Sequence, residues 1–254
     1  MINTKVTAKK STLPGTARAK SAAGPRTLAI DIGGTGIKSV MLDGAGKPIS
    51  EFGRVLTPQP ATPKAVLAVI AAIAKVLAFD RVAVGFPGVV RHGVVRTAPH
   101  LHRSFVGVDL QSEIKKMLRK PALVANDAMV QGMAAITGKG IEMAITLGTG
   151  MGSAIFVDGK AIPLEIGHHP LRHGRTYEDE IGNAALEDVG RKRWNKRLQR
   201  ILKQLELTFN YDRLFIGGGN AKKISFNLPK NTRTVSNADG LYGAIRLWKS
   251  AEHP

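Results

Sequence analysis

Two stretches of the chain superimpose without a gap: LAIDIGGTGIKSVMLDG over residues 28–44 and MAITLGTGMGSAIFVDG over residues 143–159. Each is an apolar run, a glycine turn, a second apolar run and a closing Asp-Gly, which reads as strand, tight turn, strand, hairpin turn. Asp31 and Thr146 fall on the same step, just ahead of the glycines. Glycine-rich hairpins look alike in many folds. Agreement over the whole unit nevertheless predicts an internal duplication, each half offering one strand–glycine–strand clamp.

The intervening segments fit that plan. Val82–Val84, Ala122–Ala125 and Leu214–Ile216 read as short buried strands, ending in Gly85-Phe86-Pro87-Gly88, Asn126-Asp127 and Gly217-Gly218-Gly219-Asn220. Residues 64–79 are Ala-rich and almost continuously apolar, predicting a helix buried on most sides. Residues 128–136, 191–207 and 239–249 also read as helices. Strands alternating with helices predict an α/β fold. At 254 residues and 43% apolar content, the chain can bury one large core or two modest ones.

Residues 1–26 hold six Lys and Arg and no acid, among small and turn-forming residues, predicting a disordered basic tail. The remainder is expected to form one lobe over 27–126 plus 237–254 and another over 127–236. No apolar run approaches the eighteen or so residues of a membrane span, and the first residues lack a secretory apolar core. The absence of cysteine excludes disulfides, thiol nucleophiles and Cys-ligated zinc, and a cytoplasmic location is expected. The formal net charge is +18, of which the tail carries six, so most of the excess lies on the fold. Such a surface predicts a polyanionic partner: nucleic acid, acidic membrane or a phosphate-rich substrate.

Glycines placed directly after a strand let backbone N–H groups approach phosphate oxygens that a Cβ would obstruct. Two such loops could grip a phosphate chain from both sides. Asp31 leads one loop, and the hydroxyls of Thr35, Thr146 and Thr149 decorate both; such groups order Mg²⁺ and phosphate oxygens. No GxxxxGK[ST] occurs, which excludes a P-loop, and GGTGIK lacks the dinucleotide-binding spacing. Asp127 stands where a strand gives way to a helix, a position suited equally to an N-cap and to a general base at a strand end. Glu165 and His168 lie three apart in a glycine-containing loop, suited to sugar hydroxyls, with some likeness to a metal site.

As an ordered set, AIDIGGTGIK, GFPGVV with GVVRTA, ANDA, LGTGMGSAIFVDG, EIGHH and FIGGGN resemble the ROK family of sugar kinases and repressors, over about residues 27–250. GFPGVVRHGVVRTA and GRTYEDEIG look most like its polyphosphate glucokinase branch. The resemblance implies a two-lobed actin-like ATPase (ribonuclease H-like) fold with internal duplication. It implies transfer of a terminal phosphoryl group from inorganic polyphosphate, ATP or both to the 6-hydroxyl of glucose, with mannose a further acceptor. It makes Asp127 the general base, and Gly88, Asn126, Asp127, Glu165, His168 and Glu178 the sugar site. It assigns Asp31, Gly33, Gly34, Thr35 and Lys38 to the first phosphate loop, with Asp31 near Mg²⁺. Thr146, Gly148, Thr149 and Gly150 match the second loop, and Gly217, Gly218, Gly219 and Asn220 the nucleoside-side loop. It also implies a homodimer.

The chain departs from that pattern at three places. GRTYEDEIG stands where many relatives carry a CxCGxxGC zinc motif, so no zinc is expected. His100 replaces the usual Asn beside the sugar, which bears on hexose preference. No helix-turn-helix fits in 26 polar residues. Two alternatives remain: an ATP-only hexokinase, and a non-catalytic ROK-fold nucleic-acid-binding protein. The sparse aromatics, three Tyr and two Trp, argue against the second. GRKRWNKRLQRILK (190–203) is expected to pack Trp194, Leu198, Ile201 and Leu205 and to leave Lys192, Lys196, Arg197, Arg200 and Lys203 in water. Lys115, Lys116, Arg119 and Lys120 form a second basic group. One of these surfaces is expected to extend the phosphate-loop groove toward a polyphosphate chain.

Overall fold

The computed structural model describes residues 24–236 and 240–252; residues 1–23, most of the expected tail, lie outside them. Arg26, at the end of that tail, already belongs to the fold: its backbone N–H and guanidinium donate to Asp80 at 2.8–3.2 Å.

The first half begins with β1 (Thr27–Ile32), β2 (Ile37–Leu42) and β3 (Gly53–Val55). Helix α1 (Pro63–Lys75) starts where Thr62 caps the Ala65 N–H and Pro63 supplies a preset first residue. Then come β4 (Arg81–Phe86), the small hairpin β5 (Val90–Arg91) and β6 (Val94–Val95), α2 (Leu110–Leu118) and β7 (Ala122–Asn126). The five-stranded sheet has the order β3-β2-β1-β4-β7; β1 pairs antiparallel with β2 and parallel with β4. Helix α3 (Asp127–Ala135) leads into the second half.

That half repeats the plan with β8 (Ile141–Leu147), β9 (Met151–Val157) and β10 (Lys160–Leu164). Hairpin β11 (Pro170–Arg172) and β12 (Arg175–Thr176), helices α4 (Tyr177–Ile181) and α5 (Asn183–Phe209), then β13 (Arg213–Gly217) and β14 (Thr232–Thr234) follow. The second sheet has the order β10-β9-β8-β13-β14, again with an antiparallel hairpin beside parallel strands. The two repeated segments thus occupy equivalent positions, β1–β2 in one sheet and β8–β9 in the other, as the duplication predicts. Helix α6 (Gly243–Glu252) closes the described chain.

Period-two alternation explains how the sheets share a core. Leu28, Ile30 and Ile32 of β1 point to the cluster under α1 and α2, while Met143, Ile145 and Leu147 of β8 point to the cluster under α4 and α5. The opposite faces carry small residues, Ala29, Ala83, Ala144 and Ala154, and pack with Val130 and Met133 of α3 and Ala244 and Ile245 of α6 in a third cluster between the sheets. Asp31 and Thr146 fall on that inner phase.

Several elements differ from their sequence reading. Helix α1 stops at Lys75 and buries only Val66, Ile70, Ile73 and Ala74, a single face; exposed alanines cost little and so mimic burial in a sequence. The helix expected at 191–207 lies within α5, which begins at Asn183 and breaks at Gly190, where φ is 73°. The last helix runs over Gly243–Glu252 rather than 239–249, and residues 237–239 are not described. Arg197 leaves solvent and lies 3.4 Å from the buried Glu180, which Arg172 and Arg175 also approach. Desolvating one carboxylate draws in the nearest guanidiniums, a demand that helical periodicity cannot register.

Candidate active site

Strands β1 and β8 each end in a glycine loop closed by a backbone bond from the equivalent glycine, Gly33 N–H to Gly36 C=O three residues on and Gly148 N–H to Gly150 C=O two residues on, both 3.0 Å. The loops face each other across a cleft of about 320 Å³. Asp31, Gly33, Gly34, Thr35 and Lys38 line one side, and Thr146, Gly148, Thr149 and Gly150 the other. Gly218 and Gly219 complete the second side, whereas Gly217 ends β13 behind it. Asn220 also lies outside the lining, yet its Nδ2 donates to the Gly148 carbonyl at 3.2 Å and its N–H to Leu147 at 2.9 Å, fixing the loop from beneath.

Asp127 is the first residue of α3 and sits on the cleft floor. The helix is capped by Asn126, whose Oδ1 accepts from the Met129 N–H at 3.1 Å. This separates the two roles that the sequence left open: Asn126 caps, and Asp127 stays directed at the cleft, its Oδ1 accepting from the Ala128 N–H at 2.7 Å.

Glu165, Gly88, His168 and Glu178 gather at one end of the same cleft. The buried Ser153 hydroxyl pins the Glu165 segment, donating to Leu164 C=O at 2.8 Å and accepting from Ile166 N–H at 3.1 Å. His168 Nε2 is 3.9 Å from Glu165 Oε2. Glu178 is delivered by α4, whose capping box joins Thr176 and Asp179 reciprocally. Its Oε2 accepts from the Met151 N–H at 3.1 Å and lies 3.4 Å from His100 Nε2. A side chain at Gly150 would overlap Glu178 Oε2 and come within 2.6 Å of His100 Nε2, so this loop needs glycine for close approach.

The charges in the cleft perturb one another. Burial, reinforced by the nearby Asp31 charge, pushes the Asp127 carboxyl up to about 7. Glu165 is likewise raised to about 7 by burial and then by Glu178. Burial also pulls Glu178 upward, but its contacts with His100 outweigh it and hold this carboxyl below the usual range. The same pairing raises His100. The floor therefore carries a carboxylate poised near neutrality, the property a general base requires.

Sequence reasoning passed over Arg54 of β3, which lines the first-loop side, and Gln131 of α3. A three-residue strand shows no periodicity, and Arg54 reaches the cleft only through its pairing with β2. None of the basic residues of 190–203 or 115–120 lines the cleft; its Lys and Arg are Lys38 and Arg54. His100 and His168 approach each other there, ring centroids 6.3 Å apart. Among the described residues no helix is long and apolar enough to cross a membrane.

Comparison with known proteins adds a lineage to this geometry. A polyphosphate glucokinase of Mycobacterium tuberculosis (strain CDC 1551 / Oshkosh) is 33% identical over 234 residues, covering 85% of this chain and 88% of that protein. The polyphosphate glucokinase of Mycobacterium leprae is 32% identical over 238 residues, covering 86% and 73%. The crystal structure of an inorganic polyphosphate/ATP-glucomannokinase from Arthrobacter sp. strain KM superimposes with a TM-score of 0.81 at 33% identity, covering 91% of this chain and all of that one. The two-sheet α/β architecture is thus that of the actin-like sugar kinases. The ROK family profile matches residues 27–183, and the chain belongs to the ROK family.

Proposed function

We propose that this protein is a glucokinase that transfers the terminal phosphoryl group of inorganic polyphosphate, ATP or both to the 6-hydroxyl of glucose. The observation that carries the reading is Asp127: a carboxylate raised to about 7, on the floor of a cleft walled by two equivalent glycine loops. Similarity to polyphosphate glucokinases and to a polyphosphate/ATP-glucomannokinase supports it, and makes mannose a second acceptor to try.

In this reading Asn126, Glu165, His168, Glu178 and Gly88 orient the sugar, and Asp127 takes the proton of its 6-hydroxyl as the oxygen attacks phosphorus. Backbone N–H groups of both loops, with Lys38, meet the charge on the phosphate oxygens. Gly217, Gly218, Gly219 and Asn220 form the nucleoside side when ATP is the donor. The residues also fit Mg²⁺. Asp31 and Asp127 are close enough for one charge to raise the other's pKa, and Asp31, Thr35 and Thr146 offer the oxygen donors that a hard cation prefers. When bound, the cation would neutralise donor phosphates. Its holders would be Asp31 with the two hydroxyls. The lobe division at 27–126 plus 237–254 and 127–236, a homodimer and a cytoplasmic location belong to the same reading.

Incubating purified protein with Mg²⁺, glucose or mannose, and either donor, then scoring the hexose 6-phosphate, tests the proposal. Product with ATP alone would mark an ATP-only hexokinase. No product with any pair would sink phosphotransfer and leave the nucleic-acid-binding alternative.

A further inference from the structure

Strand register places Asp31 opposite Lys38, and Lys38 opposite Arg54, so the three side chains form one row across β1, β2 and β3. Two of them satisfy each other: Lys38 Nζ donates to Asp31 Oδ2 at 2.8 Å. Arg54 stands differently. It lines the cleft, yet its Nη1 is buried with no hydrogen-bond partner, a costly condition for a guanidinium. The group lies against Gly36 of the first loop, with Nη2, Cζ and Nε 2.8–3.0 Å from where a side chain at that position would begin. Any larger residue at 36 would drive Arg54 off the loop.

We propose that Arg54 is an anion subsite of the cleft, its guanidinium gripping non-bridging phosphate oxygens of the donor against the Gly33–Gly36 loop. A planar fork of N–H donors suits two phosphate oxygens at once, and a desolvated setting strengthens each bond. Lys38 Nζ already donates to Asp31 and so meets the phosphate with its charge partly offset, and the two histidines lie beside Glu165 and Glu178, whereas Arg54 would offer the phosphate chain its full charge. The contact is to phosphate rather than to a nucleoside, so it serves polyphosphate and ATP alike. The assignment rests on the phosphotransfer reading for the ligand's identity.

Titrating tripolyphosphate into metal-free, glucose-free full-length protein by calorimetry tests it, with Arg54→Ala, Arg54→Lys and, as a distant charge control, Lys75→Gln. The expected result is a tripolyphosphate Kd raised about 10- to 100-fold in Arg54→Ala, the loss of a charged hydrogen-bonding partner. Arg54→Lys should fall between, guanidinium salts should restore part of the affinity of Arg54→Ala, and Lys75→Gln should match the parent. In kinetics, KM for both donors should rise by a similar factor while glucose affinity and Tm hold. Unchanged tripolyphosphate affinity in folded Arg54→Ala or Arg54→Lys protein overturns the subsite. So does a loss matched by glucose affinity, which marks a structural role. If the parent binds tripolyphosphate through Arg54 yet forms no sugar phosphate, the subsite stands and the phosphotransfer reading falls.

Discussion

A single nitrogen, Nδ2 of Asn126, donates both to Glu165 Oε1 at 3.0 Å and to the Gly88 carbonyl at 3.1 Å. It joins three sequence-distant segments of the sugar end while Oδ1 caps α3. Asn126→Asp keeps the cap but removes the donor and sets a second carboxylate against Glu165. The expected outcome is a glucose KM raised about 10- to 100-fold together with a lowered Tm, because the unpaired Gly88 carbonyl and the apposed carboxylates, about 1–3 kcal/mol, burden the free protein as well. Steady-state kinetics and thermal unfolding together check it; unchanged KM would detach Asn126 from the sugar.

Asp127→Asn should lower turnover by about 10²–10⁴, the usual contribution of a general base, in protein that remains folded. The wild-type profile carries the matching sign. Asp127 must be ionised to accept a proton, so kcat/KM for glucose should fall as pH drops through about 7. Saturating Mg²⁺ should move that limb to lower pH by offsetting the Asp31 charge. A limb that ignores Mg²⁺ would separate the cation from these two carboxylates.

The His100–Glu178 pair should confer stability over a defined pH window. Glu178 is held below its ordinary 4.5, so its share is present above that value and is lost as pH falls through the lowered pKa. His100 is raised above its ordinary 6.5, so its share is complete below 6.5 and is lost as pH rises through the raised pKa. Denaturation of wild type and His100→Asn should therefore differ most between about 4.5 and 6.5 and converge as pH rises through the raised pKa of His100. A difference constant across pH would deny the pairing.

Trp194 is fully buried, and its Nε1 donates to Ile181 C=O at 2.9 Å, tying α5 to the end of α4. Trp194→Ala should cost about 3–5 kcal/mol and Trp194→Phe about 1–3, mostly the orphaned carbonyl. Chemical denaturation measures both. Because α4 carries Glu178, glucose affinity should fall alongside stability in Trp194→Ala.

Reversing the exposed charges Lys192, Lys196, Arg200 and Lys203 should raise KM for long-chain polyphosphate several-fold, most strongly at low salt, and spare KM for ATP. Tripolyphosphate, too short to leave the cleft, should behave like ATP. Equal effects on all donors would confine phosphate recognition to the cleft residues.

The repeated strand–glycine–strand unit was legible because alternation, turn glycines and a closing Asp-Gly act within a dozen or so residues of one another. The same locality made Asp127, Glu165 and the two loops visible as candidates. Arg54 was not, since it owes its place to a long-range register between β2 and a strand too short to show a period. Arg197 was misread for a related reason: its charge says water, although its helical phase lies on the flank of the Trp194–Leu198–Ile201 stripe, and only the tertiary position of Glu180 gives that charge a buried partner. Charge partners chosen across the fold leave no periodic trace.

The helix that presents Asp127 packs in the cluster shared by both sheets, with α6 beside it, rather than on the outside of either. Asp127 therefore stands on an element that belongs to both sheets, whereas each phosphate loop joins strands of one sheet alone. Any rotation of one sheet against the other would carry its loop past a base that stays near the pivot, so donor and base would come into register only at one angle between the sheets.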